Sequence, residues 1–217
     1  MDELYKEYVI SYFDKMLQMH GDRPEALRYS AKGQLLRYEA LLGIDTQISG
    51  KKVLDYGCGK GDFYQFLKDR NIPVSYTGFD INGNLISMAK RKFPECEFEV
   101  FDIEKDILKE DFDYIFLCGV FNLKIERLDE TIRNVLKKLF DHCRIALAFN
   151  ALSAHDPDKD FQLHYVCPED LLEFALKNLS PYAVLKQSRI PHDFMVFVNR
   201  EKLHSRTHPC PLLIEGN

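Results

Sequence analysis

Val53-Leu54-Asp55-Tyr56-Gly57-Cys58-Gly59-Lys60-Gly61-Asp62-Phe63 reads as a buried strand, a glycine turn and the start of a helix. Three glycines alternate through the turn, where the backbone must pass close to a ligand and take angles that a Cβ resists. Phe63, Phe66 and Leu67 then share one helical face, and Asp62 with Gln65 forms a capping-box-like pair. Strand, glycine turn and helix open a nucleotide-type α/β fold.

Downstream, strands alternate with helices. Strands are expected over 52–56, 74–80, 97–101, 113–118 and 144–150, and helices over 62–70, 82–93 and 126–140. The run Tyr114-Ile115-Phe116-Leu117-Cys118 is apolar throughout, as a central parallel strand should be. The alternation implies a parallel sheet with right-handed crossovers. Residues 151–160 read as a polar loop leaving the carboxyl end of a strand, and 168–179 as a helix. Strands over 183–189 and 194–199 are joined by Ile190-Pro191-His192-Asp193, too short for a helical crossover, so they form an antiparallel pair at the sheet edge.

Two helices precede the first strand. Over 2–20, Tyr5, Tyr8, Val9, Tyr12, Phe13, Met16 and Leu17 make an aromatic face, which serves as core packing or as a pocket wall. A second helix is expected over 24–42, with Gly33 interrupting it. One domain spans 1–200, with a helical cap over 1–48, an α/β core over 49–200 and an irregular tail over 201–217 that carries His204 and His208.

A dinucleotide fingerprint wants its third glycine where Asp62 stands, and a carboxylate there repels a pyrophosphate. No GKS or GKT follows, so there is no P-loop. A phosphate-free ligand with a cationic amine and a ribose suits the loop better. Asp80 ends the second strand and is placed to accept from ribose hydroxyls; Asp102 ends the third and can accept from an exocyclic amine.

With these residues the chain resembles the class I S-adenosylmethionine-dependent methyltransferases. The matching stretches are Val53 through Gly61, Gly78-Phe79-Asp80-Ile81, Phe101-Asp102-Ile103 and Phe112-Asp113-Tyr114-Ile115-Phe116, within about residues 50–150. The resemblance implies a Rossmann-like, seven-stranded, mostly parallel sheet with an antiparallel last strand and helices on both faces, here with two extra N-terminal helices. It implies S-adenosylmethionine as cofactor. The methionine part would lie on Asp55 and the glycine loop (Tyr56, Gly57, Cys58, Gly59, Gly61, Asp62, Phe63). Asp80 and Ile81 would take the ribose, Asp102 and Ile103 the adenine, and Cys118, Gly119 and Val120 the floor.

A hydroxyl acceptor needs a base, whereas a neutral amine does not. The histidine candidates are His192 in the hairpin, His155 in the loop after the fifth strand, and His164. Tyr29, Arg37, Asn122 and Asn150 are the candidate substrate contacts. No Asn-Pro-Pro-aromatic run follows the fourth strand, which argues against adenine or glutamine methylation of that type. No metal is expected: Asp156, Asp158 and Asp160 read as a polar loop, and the six cysteines form no CxxC.

The chain has 217 residues and a net charge of -5, which argues against nucleic acid as a partner. The acidic start is no signal peptide, and no apolar run is long enough to span a bilayer. A cytoplasmic monomer or homodimer acting on a small molecule is the expectation. The alternatives are a protein or RNA methyltransferase, a non-catalytic cofactor-binding partner subunit and, more remotely, an NAD-dependent dehydrogenase.

Overall fold

The computed structural model describes residues 3–44, 47–190 and 192–202. The remainder of the tail, with His204 and His208, lies outside them. Helices α1 (Glu3–His20) and α2 (Ala31–Leu41) come first. The α/β series follows as β1 (Lys52–Tyr56), α3 (Asp62–Asp69), β2 (Ser75–Asp80), α4 (Gly83–Lys92), β3 (Glu97–Val100), β4 (Phe112–Leu117), α5 (Leu128–Asp141) and β5 (Cys143–Ser153). It ends with β6 (Tyr165–Val166), α6 (Pro168–Asn178), β7 (Tyr182–Gln187) and β8 (Asp193–Asn199).

The sheet order is β3-β2-β1-β4-β5-β8-β7, with β6 added to the end of β5. All neighbours are parallel except β8, which runs antiparallel to both β5 and β7. β1 and β4 are adjacent while their crossovers diverge, so a crevice opens between their carboxyl ends. Side chains alternate across the sheet. Leu54, Ile115 and Leu117 pack with α5 and α6; Val53, Tyr114 and Phe116 pack with α2, α3 and α4. Helices therefore cover both faces, as the apolar central strand required.

Three local expectations are corrected. The helix expected over 24–42 is broken: Pro24–Leu27 is a 3-10 turn, Arg28 turns left-handed, and Ser30 starts α2 by accepting from the Gly33 amide at 3.1 Å. The antiparallel pair expected at the sheet edge is there, with β8 seated between β5 and β7 and buried along its whole length. β5 runs on to Ser153 because Ala151 and Leu152 pair with Phe194 and Asp193, while β6 makes an eighth strand beside it. Asp62 caps nothing: Gly61 is the N-cap, and Gln65 bonds Asp69 instead.

Candidate functional site

Above the carboxyl ends of β1, β2 and β4 lies a cleft walled by the glycine loop, the turn after β4 and helix α1. Glycine geometry makes the room. Gly57 has φ +78, and a Cβ on it would fall 2.5 Å from Val120 Cγ2, so the glycine loop lies directly against the turn after β4. In that turn Gly119 has φ +71, and its Cβ would sit 1.6 Å from the Tyr29 hydroxyl. Any side chain at either position would push into a wall of the cleft.

Asp80 closes β2. Its two oxygens accept from the Gly59 and Asn82 amides, at 2.9 Å each, which fixes the carboxylate at the cleft wall with lone pairs to spare. Burial pushes its pKa up, against the opposing backbone hydrogen bonds. Asp102 follows β3. Burial would raise its carboxyl, but Lys6 of α1, at 2.9 Å, and the Glu104 amide outweigh burial and hold it below the usual range.

Helix α1 has no buried residue, yet Val9, Ile10 and Phe13 line the cleft. Besides Lys6–Asp102, Asn82 Nδ2 donates to the Ile10 carbonyl (3.2 Å) and to Asp14 (2.8 Å). Its apolar face is therefore a roof over the cleft, fastened beside both strand-end acids. Of the two readings of this aromatic face, pocket wall holds for Phe13 and its neighbours, whereas Tyr8 stays exposed.

Of the sequence candidates, Tyr29, Tyr56, Gly57, Gly59, Asp80, Ile81, Asp102, Cys118, Gly119 and Val120 line the cleft. Asp55, Cys58, Gly61, Asp62, Phe63 and Ile103 do not. Asp55 points into the sheet, where the Tyr76 hydroxyl donates to it at 2.5 Å, and burial pushes its pKa up to about 7. Asp62 pairs with buried Lys60 (2.6 Å) and with Lys92 (3.2 Å), so its charge is compensated and cannot by itself repel phosphate. The bias against a polyphosphate comes from the wall instead. Three carboxylates, Asp80, Asp102 and Glu104, line the cleft, and no Lys, Arg or His lines it among the described residues.

The three histidines stand away from the cleft on carboxylate partners. His155 pairs with Glu169 (2.9 Å), His164 with Asp129 (3.0 Å) and His192 with Asp156 (2.7 Å). Arg37, Asn122 and Asn150 also fall outside the lining. Arg37 and Asn150 are both bound to Asp193, a residue that sequence reading left in a hairpin without a role. The residues missed from the sequence are Lys6, Asn82, Asp193 and the floor residues Leu123, Ile125, Leu128 and Val135. An amphipathic α5 pattern could have offered the last two only as core.

Residues 47–169 match the family model described as "Methyltransferase domain". The chain belongs to this family, the class I S-adenosylmethionine-dependent methyltransferases. Over 172 residues it is 26% identical to methyltransferase 235L of Invertebrate iridescent virus 6, itself assigned only provisionally; the match spans 72% of this chain and 64% of that protein. Over 121 residues it is 30% identical to a fatty-acid O-methyltransferase of Mycolicibacterium smegmatis, spanning 46% and 44% of the two chains. The chain thus covers less than two thirds of either relative. Magnesium protoporphyrin IX methyltransferase of Synechocystis PCC 6803, crystallised with S-adenosylmethionine, has the same fold (TM-score 0.63, 16% identity, 93% of this chain and 98% of that one).

Proposed function

We propose that this chain methylates the carboxylate of a small acid with an apolar body. The observation that carries the reading is the composition of the cleft: two acids at strand ends with Glu104 beside them, an apolar floor and roof, and no histidine, lysine or arginine among the described residues. The cofactor fits the residues present. Asp80 is held open for ribose hydroxyls and Asp102 for the adenine amine, and the Cβ-free loop at Gly57 leaves backbone beside the methionine end. S-adenosylmethionine, bound there, would supply a sulfonium methyl.

The chain's own contribution is alignment and exclusion of water. Helix α1 roofs the cleft, and Phe121, Leu123 and Ile125 keep its floor dry. Burial raises both the Cys118 thiol and the Tyr29 phenol, so each stays neutral at pH 7. With no histidine or lysine lining the wall among the described residues, an acceptor that brings its own ionised nucleophile suits it best. A carboxylate does so at neutral pH, and its charge complements the sulfonium. The mycobacterial relative named for fatty-acid O-methylation supports the same acceptor class. The five described cysteines are free thiols, which suits a reducing cytoplasm. No helix among the described residues is long and apolar enough to cross a membrane.

The test is incubation with methyl-tritiated S-adenosylmethionine and a series of straight-chain acids from octanoate to palmitate, beside total RNA and a histone mixture. Extractable methyl ester is expected. Label confined to RNA or protein would overturn the acceptor class.

A further inference from the structure

A buried polar chain runs from α2, through β8 and β5, to the turn after β4. Asn150 on β5 is 1% exposed; its Oδ1 accepts from the Gly119 amide at 2.6 Å. Its Nδ2 donates to Asp193 at 3.1 and 3.0 Å. Asn150 and Asp193 are diagonal neighbours across the β5–β8 ladder, since Asp193 stands opposite Leu152. The fully buried Asp193 carboxylate then accepts from Arg37 Nε at 2.5 Å. The Arg37 guanidinium lies 4.9 Å from the centre of the Tyr29 ring, and the Tyr29 hydroxyl donates to the Cys118 carbonyl at 3.4 Å. The chain of contacts closes there, because that hydroxyl fills the place of the missing Gly119 Cβ.

The ladder does not need these groups. β5 and β8 pair through seven registered residues, and a buried ion pair is often replaceable by apolar side chains without loss of stability. What the chain of contacts does fix is the Gly119 amide on one side and the Tyr29 ring on the other. Both line the cleft where the 118–120 turn meets the glycine loop.

We propose that Asp193 is a positioning residue. Through Asn150 and Arg37 it sets Gly119 and Tyr29 around the methyl group of the bound cofactor. Asp193 itself touches neither cofactor nor acceptor. The inference rests on the donor-binding reading above, and it deepens it.

The test needs no acceptor. Binding of methyl-¹³C S-adenosylmethionine is followed by NMR and calorimetry for the parent chain, for the charge-neutral pair Arg37→Met/Asp193→Asn, and for Arg37→Lys. The parent should show one narrow methyl resonance displaced from that of the free cofactor. The neutral pair should keep its affinity within about threefold, because Asp80 and Asp102 are untouched, while its methyl signal broadens and moves toward the free position. Arg37→Lys keeps the charge but loses the planar stack, so its signal should fall between the two. If the neutral pair does not fold, the Lys variant alone carries the test. A methyl resonance identical to the parent's in a folded variant overturns the proposal. So does a loss of affinity and of methyl order in step with a loss of melting temperature, which would mark a merely structural role. Failure of the parent chain to bind the cofactor overturns the donor-site reading, and this inference with it.

Discussion

Replacing Asp55 by Asn should stabilise the protein at pH 8 far more than at pH 5. Asp55 is 2% exposed and accepts a hydrogen bond from the Tyr76 hydroxyl at 2.5 Å. Burial raises its carboxyl from 3.8 to about 7; the Tyr76 hydrogen bond opposes this, and the nearby Asp80 and Asp62 charges add to it. At 1.36 kcal/mol per pH unit, that gap amounts to about 4 kcal/mol of destabilisation once the folded carboxyl is ionised. The sign follows from linkage. Between about pH 4 and pH 7 the folded protein binds a proton that the unfolded chain has released, so stability falls as pH rises through the folded pKa and is level above it. Asn keeps an oxygen for Tyr76 but cannot ionise. Urea melts of parent and variant at both pH values give four unfolding free energies. Their double difference cancels any constant effect of the substitution, and it should favour the variant by about 2–3 kcal/mol at pH 8 over pH 5. An equal effect at the two pH values would refute the raised carboxyl. A variant less stable at pH 8 would show that the ionised group is favourable where it lies.

Asp80→Ala should weaken binding of the demethylated cofactor by about 1.5–3 kcal/mol in calorimetry, the scale of lost hydrogen bonds to a charged group; unchanged affinity would place the ribose elsewhere. Gly57→Ala meets Val120 at 2.5 Å with φ at +78, so it should cost about 1–3 kcal/mol in stability and reduce cofactor affinity tenfold or more. Lys6→Met removes the half-buried fastening of α1 to Asp102, and proteolysis within α1 should accelerate while the melting temperature of the core holds. His164→Ala should leave cofactor affinity and turnover within about twofold, because its ring is spent on Asp129 outside the cleft; a large loss of turnover would return that histidine to the site.

The local chain chemistry made much of this protein legible. The glycine turn, the two strand-end acids and the unbroken apolar run at β4 are short-range signals, each set by what one strand end must do. They gave the sheet, its switch point and the two strand-end acids of the cleft wall. Boundaries moved where a distant partner decided them: β5 lengthens because β8 pairs with it, and α2 starts late because Ser30 caps it.

Roles that depend on which side chains meet across the fold were not legible. Asp55 and Asp62 read as members of the loop, but Tyr76 draws one into the sheet, and Lys60 and Lys92 occupy the other. The histidines read as bases because they lie on loops at the right end of the sheet. Only the folded chain supplies the carboxylates that hold them away from the cleft. Arg37, Asn150 and Asp193 are separated by up to 156 residues and join only when β8 slots between β5 and β7. The sequence alone determined the class of fold and put Asp80 and Asp102 at the strand ends, because backbone periodicity and turn chemistry are local. The tertiary structure alone decided the roof, the dry floor and the buried polar chain, because burial and pairing are set by the whole packed fold.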